Sequence, residues 1–374
     1  MPQLAPWCMK QSIVKVTVLS KYGPKGASSR IRYRQYEKFF NERGVIIDFK
    51  PLLSDQYLEK IYNGKNGFLH LCVCYLKRLM LLLKSSSSNI FIIEKELFPF
   101  TPFFIECILL PKKTPFLVDY DDAIFATYEN HKRRLIRNLL KNKIPSIIRK
   151  ATGVIAGNAY LGSYAKKSGA KKVYVIPSVV DTKIYLPNVC RSKRRLTIGW
   201  IGTPVTSKYL EDIVPALREI SLQRNVDVIA IGARKSSFEN SFVNVQDWSQ
   251  SSEVERIKSF DIGIMPLRDS SWDRGKCGYK LIQYMACGLP VVASPIGVNS
   301  LIVKHGVNGF LANSINDWVS RLKVLIDIGF VARKKMGQEG RRLVCDEFSI
   351  ESHGDRLCEI VKEHSRFDDA RSPS

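Results

Sequence analysis

Between Asp261 and Leu311 the sequence runs DIGIMPLRDSSWDRGKCGYKLIQYMACGLPVVASPIGVNSLIVKHGVNGFL, and this stretch constrains the fold more than any other. Ile262 to Leu267 reads as a short apolar strand stopped by Pro266 and a polar run. A turn, Arg274-Gly275-Lys276-Cys277-Gly278, then opens a helical pattern from Tyr279 to Cys287. Gly288 and Pro290 end that helix, and Val291 to Ser294 is a second apolar strand. Strand, glycine turn, helix and strand together suit an anionic ligand. Glycine lets backbone approach a phosphate, and a helix N-terminus presents free N–H groups to it. Lys276 and Lys280, four residues apart, would add counter-charge. Taken alone, the same residues also describe an ordinary β-α-β unit with surface lysines.

The run Tyr284 to Ala293 (YMACGLPVVA) and the loop Gly306-Val307-Asn308-Gly309-Phe310-Leu311 add a resemblance. They resemble the "EAMACGLPVVA" and "G.nGfL" segments of the large bacterial family of retaining glycosyltransferases, group 1 or family 4-like. The resemblance implies an α/β GT-B fold, two Rossmann-like domains facing across a cleft. It implies transfer of a sugar, with retention, from a nucleoside-diphosphate sugar to a hydroxyl acceptor. It further implies no cofactor and no metal, with Gly202, Lys208, Lys276, Gly278, Tyr279, Lys280 and Gln283 on the donor side. Two glutamates usually flank the glycine turn in this family; here Gly275 and Gln283 stand at those positions, and Asp273 is a neighbouring carboxylate. A bacterial surface-polysaccharide subset shares the "RGK...K" pattern and a "D.DDA" string like Asp119 to Ala123, implying a lipid-linked or oligosaccharide acceptor.

At 374 residues, with 45% hydrophobic and 25% charged residues, the chain suits two soluble domains of ordinary size. The net charge of +23 is uneven: residues 1–186 carry 31 Lys and Arg against 13 Asp and Glu, and the remainder 27 against 22. A basic first half points to an anionic membrane surface or another polyanion. Aromatics are not interleaved with a basic stripe, so nucleic acid is not an expected partner. Nine scattered cysteines without a C-x-x-C pair suit reduced thiols and a cytoplasmic setting, on the cytoplasmic face of the inner membrane if peripheral. Met1 to Lys10 holds no continuous apolar run, against a secretory leader. Phe68 to Leu83, the most apolar helix pattern, is interrupted by charge and shorter than the ~20 residues of a span, which suggests a buried helix.

In chain order, Ile13 to Ser20 reads as a first strand, Lys21 to Ser29 as a Gly/Ser loop, and Arg30 to Arg43 as a basic helix before strand Val45 to Phe49. By resemblance, Gly26, Ser28, Ser29 and Arg30 belong to an acceptor or cleft loop. Lys95 and Glu96 follow strand Ile90 to Ile93, at a carboxyl end where ligands bind in open α/β sheets. Strand Phe116 to Val118 ends in Asp119-Tyr120-Asp121-Asp122. Asp119, Asp121 and Asp122 are the candidate catalytic residues, orienting or deprotonating the acceptor hydroxyl. A divalent-cation site and a solvated acidic turn are the alternatives. Asn130 to Lys143 reads as one basic amphipathic helix able to lie on anionic lipid. The organisation expected is an acceptor domain over residues 1–187 and a nucleotide-sugar domain over 188–349. A helix over 350–366 would cross back to the first domain, and 367–374 would form a disordered tail. An epimerase-like enzyme of the same architecture and a non-catalytic polyanion binder are the other functional readings.

Overall fold

A computed structural model describes residues 13–62, 67–83, 88–110, 114–187 and 195–365. Residues 188–194, at the start of the expected second domain, and the expected tail 367–374 lie outside the described residues.

Two six-stranded parallel sheets form the frame. The first comprises β1 (Val14–Leu19), β2 (Val45–Phe49), β3 (Ile90–Glu94), β4 (Phe116–Tyr120), β5 (Gly153–Ala156) and β6 (Val173–Val175). The second comprises β7 (Leu196–Ile201), β8 (Val226–Ile231), β9 (Val243–Gln246), β10 (Ile262–Met265), β11 (Val291–Ala293) and β12 (Gly309–Leu311). The central strands β3, β4 and β10 are buried at every residue. This explains their continuous apolar runs, because parallel strands are covered on both faces by helices.

The strand orders locate the cleft. They are β2-β1-β3-β4-β5-β6 and β12-β11-β10-β7-β8-β9, so the order reverses between β1 and β3 in one sheet and between β7 and β10 in the other. Ligands of open α/β sheets bind at such switch points, outside the strand carboxyl ends. The segments that follow β1 and β3 carry Ser28 to Arg30, on the first turn of a helix, and Lys95; those that follow β7 and β10 carry Lys208, also on a first helical turn, and the Arg274–Gly278 turn. Helix Ile350–Ser365 lays Ile350, Leu357, Cys358, Ile360 and Val361 against β1, β3 and the tyrosines Tyr33 and Tyr36 of the first domain. This arrangement of two facing parallel α/β sheets is the GT-B fold.

Three helical expectations differ from the structure. Arg30 to Arg43 is not one helix but helix Ala27–Arg32, a 3-10 turn at Arg34–Tyr36 and helix Glu37–Asn41. Asn130 to Lys143 is likewise divided, into helices Arg134–Leu140 and Lys143–Lys150. Lys143, expected on a lipid-facing surface, is instead fully buried, its ammonium held by Glu96 at 2.6 Å, Glu106 at 2.9 Å and the Phe98 carbonyl at 2.6 Å. Helix Phe68–Leu83 exists as expected, but only Cys74 and Arg78 of it are buried. An apolar period identifies a helix without saying what covers each face.

Candidate functional site

The glycine turn after β10 is held against the first domain by close backbone contact. A Cβ at Gly275 would lie 2.6 Å from the Ala123 Cβ and 2.7 Å from its nitrogen, too near for any side chain. A glutamate does not fit there, so its absence goes with the tight approach of the two domains. Asn158, the N-cap after β5, donates from Nδ2 to the Gly275 carbonyl at 3.0 Å and the Lys276 carbonyl at 3.2 Å. Cys277 is buried in the first domain's core, and its thiol donates to the Asp121 carbonyl at 3.2 Å. Gly278 then takes φ of +67°, a left-handed backbone that glycine adopts without strain, and starts helix Tyr279–Ala286. Leu281 N–H donates to the Gly278 carbonyl at 2.9 Å, which leaves the N–H groups of Tyr279 and Lys280 without an intrahelical acceptor.

Lys276 and Lys280 stand on this turn in different states. Lys276 Nζ donates across the cleft to Asp122 Oδ1 at 2.8 Å. Lys280 Nζ sits 4.9 Å from the Trp200 ring centroid and has no carboxylate partner among the described residues. Burial pushes the Lys280 ammonium down to about 7, and the charge of Lys276 pushes the same way. A half-buried lysine beside another, with no anion of its own, favours an anionic guest. Lys208 is exposed on helix Ser207–Asp212, its ammonium 5.0 Å from the Tyr209 ring. Gly202 lies where β7 leaves the sheet, packed on Trp200 and Thr206.

The acidic string after β4 divides by role. Asp119 is fully buried and takes both oxygens to Arg32, at 3.0 and 2.8 Å, so this pair lies inside the first domain and does not face the cleft. Asp121 and Asp122 turn toward the cleft. Lys95 Nζ bridges them at 2.9 and 3.1 Å and reaches Ser28 Oγ at 3.3 Å. Lys95 holds φ of +66°, a costly backbone for a non-glycine residue, and this aims its side chain from the end of β3. Burial works against charge on Asp122, but Lys276 and Lys95 outweigh it and hold the carboxyl well below its usual range. Ser29 is spent on the buried Glu94 at 2.5 Å, and Gly26 packs under Tyr22 as the N-cap of its helix. Among the described residues no three His, Cys, Asp or Glu side chains converge to hold a metal.

A second cluster joins Arg30 to the other domain. Arg30 Nη2 donates to Glu253 Oε2 at 3.2 Å, and its guanidinium lies 4.9 Å from the Trp248 ring centroid. Glu253 also accepts from Trp248 Nε1 at 2.6 Å, Tyr185 Oη at 2.5 Å and Gln283 Nε2 at 2.9 Å. Gln283 is buried, and its amide donates as well to Tyr185 at 2.9 Å; it holds Glu253 rather than facing open space. Asp273 is similarly engaged, accepting from Tyr209 at 2.5 Å and Ser270 at 2.6 Å. Glu253 escaped the sequence reading because it starts an unremarkable helix. Asn158 was missed too, although it carries the signal that marked Lys95, a polar residue just past a buried apolar strand.

Residues 195–327 match the family model described as glycosyl transferases group 1. No curated protein matches the chain by sequence. Among solved structures, sucrose-phosphate synthase from Thermosynechococcus elongatus is similar at 14% identity and TM-score 0.67, over 94% of this chain and 98% of that one. A glycosyltransferase from Rickettsia africae shares 15% identity at TM-score 0.66, over 94% and 98%. Anabaena HepE in complex with UDP and glucose shares 14% at TM-score 0.62, over 94% and 99%. Residues 195–327 thus resemble a group 1 glycosyltransferase domain, and the chain as a whole has the GT-B fold.

Proposed function

We propose that the protein transfers a sugar from a nucleoside-diphosphate sugar to a hydroxyl of a lipid-linked or growing surface glycan, with retention at the anomeric carbon. The observation that carries this reading is Lys280, without a carboxylate partner among the described residues, beside Lys276 at the start of helix Tyr279–Ala286. The diphosphate would lie on these two ammoniums and the N–H groups of Tyr279 and Lys280, with Lys208 and the Gly202 turn on its other side. Negative charge grows on the leaving diphosphate as the anomeric bond breaks, and fixed cations stabilise that charge. Glu253, held by Gln283, would accept hydrogen bonds from the ribose. Asp122 and Asp121 would orient the acceptor hydroxyl, with Lys95 fixing both carboxylates. The reaction would run on the cytoplasmic face of the inner membrane.

Structures of HepE with UDP-glucose and of TarM with UDP show what proteins of similar fold accommodate. The test is a thermal-shift and calorimetric screen of sugar nucleotides in excess EDTA, followed by product analysis with and without acceptor. One sugar nucleotide should raise the melting temperature, since a ligand of the native state stabilises it. EDTA should leave the shift unchanged, because lysines supply the charge that a cation would. A family of sugar nucleotides with no effect would end the reading. An epimerised sugar formed without acceptor would replace it with the epimerase alternative.

A further inference from the structure

Helix Phe68–Leu83 is apolar on both sides. One side, with Leu71, Cys74, Tyr75, Leu79 and Leu82, packs on the first domain's core. The other exposes Leu69, Val73, Leu76, Met80 and Leu83, spaced four, three, four and three residues apart and 48–81% accessible. That spacing puts all five on one stripe. Beside it, helix Phe103–Leu109 exposes Phe104 at 64% and Ile108 at 73%. Helix Arg134–Leu140, over the same core, exposes Leu135 at 79% and Leu139 at 57%. Single exposed apolar residues are ordinary, but a stripe of five on one helix beside two more on its neighbour marks a binding surface.

Charge identifies the occupant. From residue 68 to 150 the chain has seven carboxylates, and all are buried or half-buried: Glu94, Glu96, Glu106, Asp119, Asp121, Asp122 and Glu129. Over the same span Lys77, Lys132, Arg133, Arg134, Lys141 and Lys150 are exposed. An apolar surface on a segment whose exposed charges are all positive repels a second copy of itself. An anionic bilayer offers both an apolar interior and a negative interface. Among the described residues no helix is long and apolar enough to cross a membrane, so these helices would lie in the interface.

We propose that the face built by helices Phe68–Leu83, Phe103–Leu109 and Arg134–Leu140 docks the first domain onto an anionic membrane surface. The stripe enters the acyl boundary and the lysines and arginines sit at the headgroups. Lys95 in the cleft and Phe100, 55% exposed and three residues before helix Phe103–Leu109, are five residues apart. A membrane-borne acceptor would therefore meet the cleft from the docked side; this last point rests on the proposed transfer, whereas the docking does not.

Flotation of the full chain with phosphatidylcholine vesicles, with and without phosphatidylglycerol, tests it. Binding should require the anionic lipid and weaken about fivefold for each charge removed in Arg133→Gln and Arg134→Gln. Leu69→Ser, Leu76→Ser and Met80→Ser together should weaken it roughly tenfold or more, with unchanged melting temperature. Failure to float with anionic vesicles would overturn the proposal. So would binding that ignores the serine variant, or a dimer in vesicle-free buffer that this variant dissolves. Sugar-nucleotide stabilisation, measured on the same variants, should persist. Its absence from a wild-type chain that still floats would retire the donor reading and leave the docking face standing.

Discussion

At the scale of single residues, Lys276 and Lys280 share a turn but differ in what neutralises them. Lys276 has Asp122, whereas Lys280 has an aromatic ring and a neighbouring cation. A lysine lowered from 10.5 to about 7 is mostly neutral in the free protein at pH 8. Folding then releases a proton between pH 7 and 10.5, so this group makes stability rise with pH across that window. An arriving diphosphate reverses the effect by favouring the ammonium. Donor binding at pH 8 should take up a proton, seen as a heat that changes with the ionisation enthalpy of the buffer. Lys280→Met should abolish that uptake and lower kcat by about 10²–10³-fold, as loss of one donor to a developing anion does. Wild-type kcat with no buffer dependence would make Lys280 a packing residue. The sequence placed this lysine correctly on a helix start. It could not show the isolation from carboxylates, which depends on where Asp122 and Asp273 arrive in space.

At the scale of elements, the strands were the legible part. The six strands named from apolar runs agree with observed ones to within two residues at each end, because a buried parallel strand writes its whole length in Val and Ile. Helix facing was less legible. Phe68–Leu83 is apolar around much of its circumference, and sequence alone does not reveal that one side lacks a cover. Lys143 is the converse case. It closes a run of surface bases in sequence, yet it opens a separate helix and inserts between Glu96 and Glu106. Tyr128 donates to both oxygens of Glu96, so the lysine completes a polar network within an apolar core. Lys143→Met keeps the stem and leaves two buried carboxylates without their cation. It should destabilise the protein by about 3–5 kcal/mol, against less than about 0.5 kcal/mol for Lys141→Met on the surface. Chemical denaturation of the two variants measures the contrast; equal midpoints would show that the network relaxes by admitting water.

At the scale of the whole molecule, the two domains meet through the groups assigned to chemistry. Asp122 and Lys276, Arg30 and Glu253, and Asn158 with the glycine turn all cross the cleft. On the proposed donor site a diphosphate would compete with Asp122 for Lys276, and the carboxylate would be released as the donor is seated. The order of binding expected from this is donor first, then an Asp122 free to meet the acceptor hydroxyl. Asp122→Asn separates the two roles. It removes the charge that holds Lys276 and keeps the side chain's shape, while Asp121 remains as the partner of Lys95. Donor affinity should rise, because the lysine no longer leaves a carboxylate to meet the phosphate, and turnover should fall, because the acceptor loses its carboxylate. Opposite signs in one variant are hard to produce by misfolding, which lowers both. Calorimetric donor affinity and steady-state turnover on the same preparation decide it. A donor affinity that stays constant or weakens in Asp122→Asn would mean that the diphosphate does not use Lys276, and the contact across the cleft would then be only a hinge clasp.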